Sequence, residues 1–331
     1  MAQFDLPVAE LEAYVPEIDE PADFDAFWEQ TLVESRAHDD APTLERADTG
    51  LTELVVDDVT FPGFDGQPVK AWLTRPARHD AAADGPLPAV VEFVGYGGGR
   101  GLAHDHLGLA AAGYAHLVMD TRGQGSGWGH GGDTPDPVGS GPASPGFMTR
   151  GVLDPHEHYY RRVFTDGVRA VDAARRVEGI DPARIAVAGT SQGGGIAIAV
   201  AGLVPDVAAA VPDVPFLCHY RRAVQISDAF PYGEITQYLS VHREHEDAVW
   251  RTFSYLDGVS FARRARAAAL FSTALRDDVC PPSTVYAAYN QWGALGETAP
   301  DTAIDVYPHN RHEGGQGYRF APTLAWLAKH L

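Results

Sequence analysis

The stretch of this sequence best equipped for chemistry is Gly189-Thr190-Ser191-Gln192-Gly193-Gly194. A β-rich run at 184–188 leads into it, and a run of small residues at 193–203 leaves it, so it reads as G-x-S-x-G at a sharp strand-to-helix turn. Side chains at Gly189 or Gly193 would collide with neighbouring elements, and the helix that follows brings the positive end of its dipole beside developing negative charge. A serine hydroxyl is a weak nucleophile until a base removes its proton, so a histidine and an orienting acid must converge on it. In open α/β sheets carrying this motif the chain order is Ser, acid, His. After Ser191, the run 270–275 delivers Asp277 and Asp278, and the last strand runs into Pro308-His309-Asn310-Arg311-His312-Glu313. Both segments lie where such sheets build sites, beyond the carboxyl ends of strands. Spacing alone does not choose between Asp277 and Asp278, or between His309 and His312. The competing readings are a glycine-rich phosphate loop for the turn and solvated charges for the loops.

An attacked carbonyl also needs hydrogen-bond donors for its oxygen. The run 88–94 empties into Gly95-Tyr96-Gly97-Gly98-Gly99-Arg100-Gly101, where bare backbone can turn N–H groups toward a reacting atom. The second expected donor is the backbone N–H of Gln192, directly after the serine. A dinucleotide loop is the rival reading of these glycines, but no register gives G-x-G-x-x-G: from Gly95 the sixth position is Arg100, and from Gly97 it is Leu102. The histidine clusters at 104–106, 156–158 and 242–245 give neither H-E-x-x-H nor H-x-x-E-H, and C-x-x-C is absent. No catalytic metal and no cofactor are expected.

The elements that must position these residues alternate along the chain. Strands are expected at 51–61, 68–75, 88–94, 115–119, 184–188, 207–211, 268–275 and 303–307, with helices at 103–112, around 160–174, and at 193–203, 283–292 and 318–330. That alternation predicts an α/β fold with a mostly parallel central sheet and helices on both faces. Residues 121–150 hold nine glycines and four prolines, a density that excludes a helix or central strand and reads as a long surface excursion. Residues 215–266 interrupt the alternation after the sixth expected strand and read as an insertion capping the strand ends. Residues 1–50 carry Phe24, Phe27, Trp28 and Leu32 at helical spacing, an extension packed on the body. The whole of 1–331 is therefore expected to form one domain.

Composition narrows the partners. The chain has 331 residues, 45 acidic against 25 basic, and a formal charge of -20, which disfavours nucleic acid and anionic membrane. Its apolar runs, such as 89–94 and 196–201, fall short of the roughly 20 residues a membrane span requires. Two cysteines, Cys218 and Cys280, exclude a disulfide framework and suit a reducing compartment. The N-terminus shows no secretory pattern, so the expected location is cytoplasmic.

Taken together, these motifs give a sequence that resembles the acetyl xylan esterase/cephalosporin C deacetylase family, carbohydrate esterase family 7, nearly end to end. Its signature motifs are present as Arg122-Gly123-Gln124-Gly125, Gly189 to Gly194, and His312-Glu313. Longer similar stretches are Pro145-Gly146-Phe147-Met148-Thr149-Arg150-Gly151, Asp213-Val214-Pro215-Phe216-Leu217-Cys218-His219 and Cys280-Pro281-Pro282-Ser283-Thr284. The resemblance implies an α/β-hydrolase fold. It carries the acid, three residues before Cys-Pro-Pro, to Asp277 and the base to His312. Backbone N–H donors carry over to Tyr96 and Gln192, with Tyr96 and Pro231 beside the substrate. Gly97 stands where relatives often have Asn, and 293–301 is longer than usual. Arg122, Gln124 and Glu313 come without a derived role; for Arg122 and Gln124, bracing of turns is expected rather than chemistry.

The expected activity is that of a serine esterase. Ser191, relayed by His312 and Asp277, would remove O-acetyl groups from small acetylated carbohydrates, such as xylo-oligosaccharides, and from cephalosporin C-like compounds, through an acyl-enzyme. The resemblance further implies a homohexamer whose sites open inward. The rival classes are another serine hydrolase of the same fold, peptidase- or lipase-like, and a non-catalytic small-ligand binder on a hydrolase scaffold.

Overall fold

The computed structural model describes residues 3–139, 141, 143 and 145–331. Its frame is a nine-stranded sheet in the order β1-β2-β3-β5-β4-β6-β7-β8-β9. The strands are β1 (Thr43–Arg46), β2 (Leu54–Pro62), β3 (Pro68–Pro76), β4 (Leu87–Phe93), β5 (Ala115–Met119), β6 (Ile180–Thr190), β7 (Ala209–Asp213), β8 (Ala268–Ala274) and β9 (Thr302–Tyr307). Pairing is antiparallel from β1 through β3 to β5, then parallel from β5 across to β9. The expected α/β fold with a mostly parallel sheet is therefore the observed one.

Sequence chemistry accounts for the two halves. In β8 every residue is buried, as a central parallel strand covered on both faces requires. In β2, half of the side chains are only partly covered, in near-alternation, as suits a strand near the sheet edge. Successive central residues feed opposite cores. Val91 and Val187 join Val163, Phe164, Ile196 and Val200, under the Tyr159–Arg175 and Gln192–Leu203 helices. Their neighbours Val90 and Ala186 join Leu109 and Leu327, under the Gly108–Ala111 and Phe320–His330 helices. The Phe24–Arg36 helix lies outside the first layer: Phe24, Phe27, Trp28 and Leu32 are buried, and the Trp28 indole N–H donates to the Tyr255 carbonyl at 2.9 Å.

Four expectations are corrected. Thr43–Arg46 forms a strand within the N-terminal extension; all four of its residues are exposed, so no apolar alternation announced it. The insertion consequently follows the seventh strand, not the sixth, and contains the helices Tyr220–Ile226, Gly233–Val241, Glu246–Ser254 and Gly258–Ala262. The helix expected at 103–112 shrinks to Gly108–Ala111, because the Asp105 carboxylate turns back to accept the Leu102 N–H at 2.8 Å. The glycine-rich excursion is not wholly superficial: Arg122, Gln124, Thr134, Met148 and Thr149 are buried.

Arg122 anchors the start of that segment. Its guanidinium, fully covered, makes a two-pronged bond to the equally buried Asp166 at 2.6 and 2.7 Å and a third to Gln67 at 2.5 Å. The arginine of the Arg-Gly-Gln-Gly motif thus locks the chain leaving β5 onto the Tyr159–Arg175 helix. Arg122→Ala strands a buried carboxylate, and the expected loss is about 3–5 kcal/mol of stability in urea unfolding. A loss below about 1 kcal/mol, the range of an exposed pair, would show that this one does not hold the turn.

Candidate active site

Where β6 ends, Ser191 occupies φ 59°, ψ -118°, a conformation that costs a non-glycine residue roughly 1–3 kcal/mol and must be imposed by its surroundings. Three backbone bonds impose it. The Ser191 N–H donates to Asp213 at 2.9 Å, and the Ser191 carbonyl accepts from Gly195 at 3.0 Å and Phe216 at 2.9 Å. The flanking glycines answer to space, not to dihedral angle. A Cβ on Gly193 would sit 2.0 Å from the Phe93 carbonyl oxygen, and one on Gly189 would sit 2.4 Å from the Gly193 carbonyl carbon. Removing those carbons lets the end of β4 lie directly against the start of the Gln192–Leu203 helix.

His312 arrives on the loop after β9. Its Nε2 lies 2.9 Å from the Ser191 Oγ, and its Nδ1 lies 2.8 Å from the Asp277 Oδ2. The loop doubles back tightly there: Gly315 has φ 88°, and a Cβ on it would meet the Tyr307 hydroxyl at 2.2 Å. Asp277 is fully buried, and its other oxygen accepts the N–H groups of Val279 and Cys280, both at 2.9 Å. The two open choices are thereby separated. Asp278 instead binds Arg311 on the surface, and His309 is exposed. Ser191, Asp277 and His312 form one hydrogen-bonded line.

Cys280 lies close to that line, with its sulfur within 4.8 Å of ligand atoms on Asp277 and His312. Burial, then the adjacent Asp277, pushes the Cys280 thiol well up, which disfavours a thiolate nucleophile there. Cys218 is likewise buried and free. Of the histidine clusters, that of His242, Glu244 and His245 also gathers ligand atoms within 4.8 Å of one another among the described residues, with no member in the serine line.

The opposite wall comes from the exit of β4. The Gln192 side chain donates to the Val94 carbonyl at 3.0 Å, holding this exit against the serine turn. Gln124 ties both pieces together: its oxygen accepts the Gly97 N–H at 2.7 Å while its nitrogen donates to the Gln192 Oε1 at 2.8 Å. Bracing is therefore what Gln124 does. The Tyr96 carbonyl accepts the Trp128 indole N–H at 2.7 Å. Among the described residues, no partner takes the backbone N–H of Tyr96 or Gln192. Gly97 has φ 80°, a left-handed angle that glycine and asparagine both tolerate. Pro231 lies buried in the insertion after a cis Phe230–Pro231 bond, three residues before Glu234.

Two contributors were not legible as such. Trp128 sits in a stretch that reads as surface excursion, and Glu234 in an insertion that reads only as a cap. The one signal for Glu234 is a carboxylate placed just before an apolar helical run. Glu313 pairs its carboxylate with the Asn310 side chain, within the loop that presents His312.

The sheet, the turn at Ser191 and the helices on both faces define an α/β-hydrolase. Comparison with known proteins carries this further. The chain matches the acetyl xylan esterase (AXE1) family over residues 1–330. It therefore belongs to that family, which is one of carboxylic ester hydrolases. The solved acetyl xylan esterase of Paenibacillus sp. R4 is 36% identical with a TM-score of 0.90, covering 98% of this chain and 100% of that one. Acetyl xylan esterase 1 of Thermoanaerobacterium sp. JW/SL YS485 is 31% identical with a TM-score of 0.88, covering 99% and 100%. Acetyl esterase Axe7A of Xylanibacter ruminicola is 29% identical over 186 residues; the match takes in 56% of this chain and 40% of that protein's length. No helix among the described residues is long and apolar enough to cross a membrane.

Proposed function

We propose that this protein is a serine esterase that removes O-acetyl groups from small acetylated carbohydrates, xylo-oligosaccharides foremost. The observation that carries the reading is the continuous line from Asp277 through His312 to the Ser191 oxygen, at 2.8 and 2.9 Å. His312 takes the Ser191 proton on Nε2 as the Oγ attacks the acetyl carbonyl, and Asp277 holds the imidazole tautomer and stabilises its charged form. The carbonyl oxygen, now negative, is received by the N–H groups of Tyr96 and Gln192, with Tyr96 and Pro231 bordering the substrate. His312 then gives its proton to the departing sugar hydroxyl, and water repeats the cycle on the acetyl-serine. The residues need no cofactor and no metal for these steps.

Family membership and the two full-length structural relatives, both acetyl xylan esterases, support acetyl as the acyl group. The same reading takes in cephalosporin C-like acetates as further substrates, a homohexamer with inward-opening sites and a cytoplasmic location. Turnover of an aryl acetate, its long-chain ester homologue and the matching anilide, alongside acetylated xylose, xylo-oligosaccharides and cephalosporin C, is the test. Acetyl esters are expected to be cleaved at least tenfold faster than the long-chain ester, with no anilide cleavage. Preference for the long-chain ester or the anilide would replace the reading with a lipase- or peptidase-like hydrolase, and no turnover at all would favour a binder.

A further inference from the structure

Glu234 is a carboxylate where carboxylates are costly. It stands in the insertion, on the Gly233–Val241 helix, and is 3% exposed. Burial pushes its carboxyl pKa up, and hydrogen bonds hold it back. Its Oε1 accepts the Tyr96 hydroxyl at 2.5 Å and its Oε2 accepts the Met148 N–H at 3.0 Å. The Tyr96 hydroxyl in turn accepts the Phe147 N–H at 2.7 Å. Burial, followed by the neighbouring Glu234, raises the Tyr96 hydroxyl pKa, so that group stays a donor. The chain of donation is thus fixed in one direction, from Phe147 N–H to Tyr96 O–H to Glu234. The backbone at Gly146 has moved in so close that a Cβ there would lie 2.1 Å from the Glu234 oxygen.

This carboxylate is where three segments meet: the exit of β4 at Tyr96, the segment 145–151, and the insertion. Tyr96 is gripped at both ends, by Glu234 on its ring and by Trp128 on its carbonyl, and Gln124 holds the other side of that same peptide through the Gly97 N–H. With the ring and the following peptide pinned, little freedom remains in the direction of the Tyr96 N–H. We propose that Glu234 is a positioning residue for the esterase reaction, setting through Tyr96 the aim of the backbone donor that receives the carbonyl oxygen. The inference rests on the esterase reading above. Glu234 touches no reacting atom; it acts at one remove, and a misplacement of about 1 Å in such a donor costs on the order of 10²-fold in rate.

The test is Glu234→Gln, Tyr96→Phe and the double variant, assayed on an aryl acetate with melting temperatures recorded, beside wild type and Ser191→Ala. Glutamine fills the same volume but must turn an NH2 toward either the Tyr96 O–H or the Met148 N–H, both donors. Tyr96→Phe cuts the same link while keeping the backbone N–H. Each single variant is expected to lower kcat by about 10- to 100-fold with KM changed less than about threefold, because a donor to the oxyanion is used mainly in the transition state. The double variant should lose no more than the worse single one, within about threefold, since both cut one link. A folded Glu234→Gln protein with wild-type kcat, or losses that multiply in the double variant, overturns the proposal. If Glu234→Gln does not fold, Tyr96→Phe decides alone: a kcat-selective loss supports the proposal and wild-type kcat overturns it. A wild type inactive on acetyl esters, or a Ser191→Ala protein equally active, defeats the esterase reading itself and this inference with it.

Discussion

Ser191→Ala is expected to lower turnover of an aryl acetate by about 10⁶ with the fold intact. The size of the effect reflects the groups that remain. His312 keeps its bond to Asp277 but has no hydroxyl within reach, and the donors of Tyr96 and Gln192 then face a carbonyl that nothing attacks. Stability should hardly move. Alanine at φ 59° meets the same steric cost as serine, and the three backbone bonds that impose the angle do not involve the hydroxyl. Steady-state kinetics with a matched melting temperature measures the loss. Labelling by an organophosphate, read by mass spectrometry, identifies the atom: wild type should gain one adduct at Ser191 and the variant none. A variant retaining activity within tenfold of wild type would remove Ser191 from the chemistry.

The serine turn was legible in the sequence because its constraints are local. Gly189 and Gly193 are required by backbone contacts within a few residues, or from the strand alongside, and such contacts leave a fixed spacing. The sheet was legible for a similar reason: β8 is buried throughout, and the centres of β4 and β6, at 89–91 and 185–187, are buried residue after residue and spell short apolar runs. Choices between neighbours were not. Asp277 and Asp278 are chemically the same and adjacent, and only the folded loop turns one inward to two backbone donors and the other outward to Arg311. Family resemblance pointed to Asp277 and His312, where residue chemistry alone left a tie. Burial in the 121–150 segment was hidden because glycine and proline signal irregular backbone, and irregular backbone is usually superficial. Here the two ends of the segment are drawn inward by separate polar contacts, Arg122 to Asp166 and Met148 to Glu234, whose partners are 44 and 86 residues apart. Long-range polar pairing of that kind leaves no periodic mark, which is also why Glu234 and its link to Tyr96, 138 residues away, could not be read ahead.

Asp277→Asn should cost about 10⁴ in kcat while leaving the geometry in place, and the reason lies in how the carboxylate is held. One of its oxygens accepts the N–H groups of Val279 and Cys280, so in the asparagine variant the amide oxygen must take that place. The amide nitrogen is left facing His312, where it donates to Nδ1, a position that in the wild type donates to the carboxylate. Nδ1 then becomes the acceptor, the imidazole proton moves to Nε2, and the lone pair that should receive the Ser191 proton is gone. The base is present, correctly placed and in the wrong tautomer. Asp277→Ala separates tautomer from position, for it leaves the Val279 and Cys280 N–H groups unpaired in a buried site and should also lower the melting temperature. The expected pattern is therefore a large kcat loss in both variants, with a stability loss only in the alanine one. If Asp277→Asn kept kcat within tenfold of wild type, His312 would not depend on Asp277 for its tautomer, and the acid would have to be sought elsewhere.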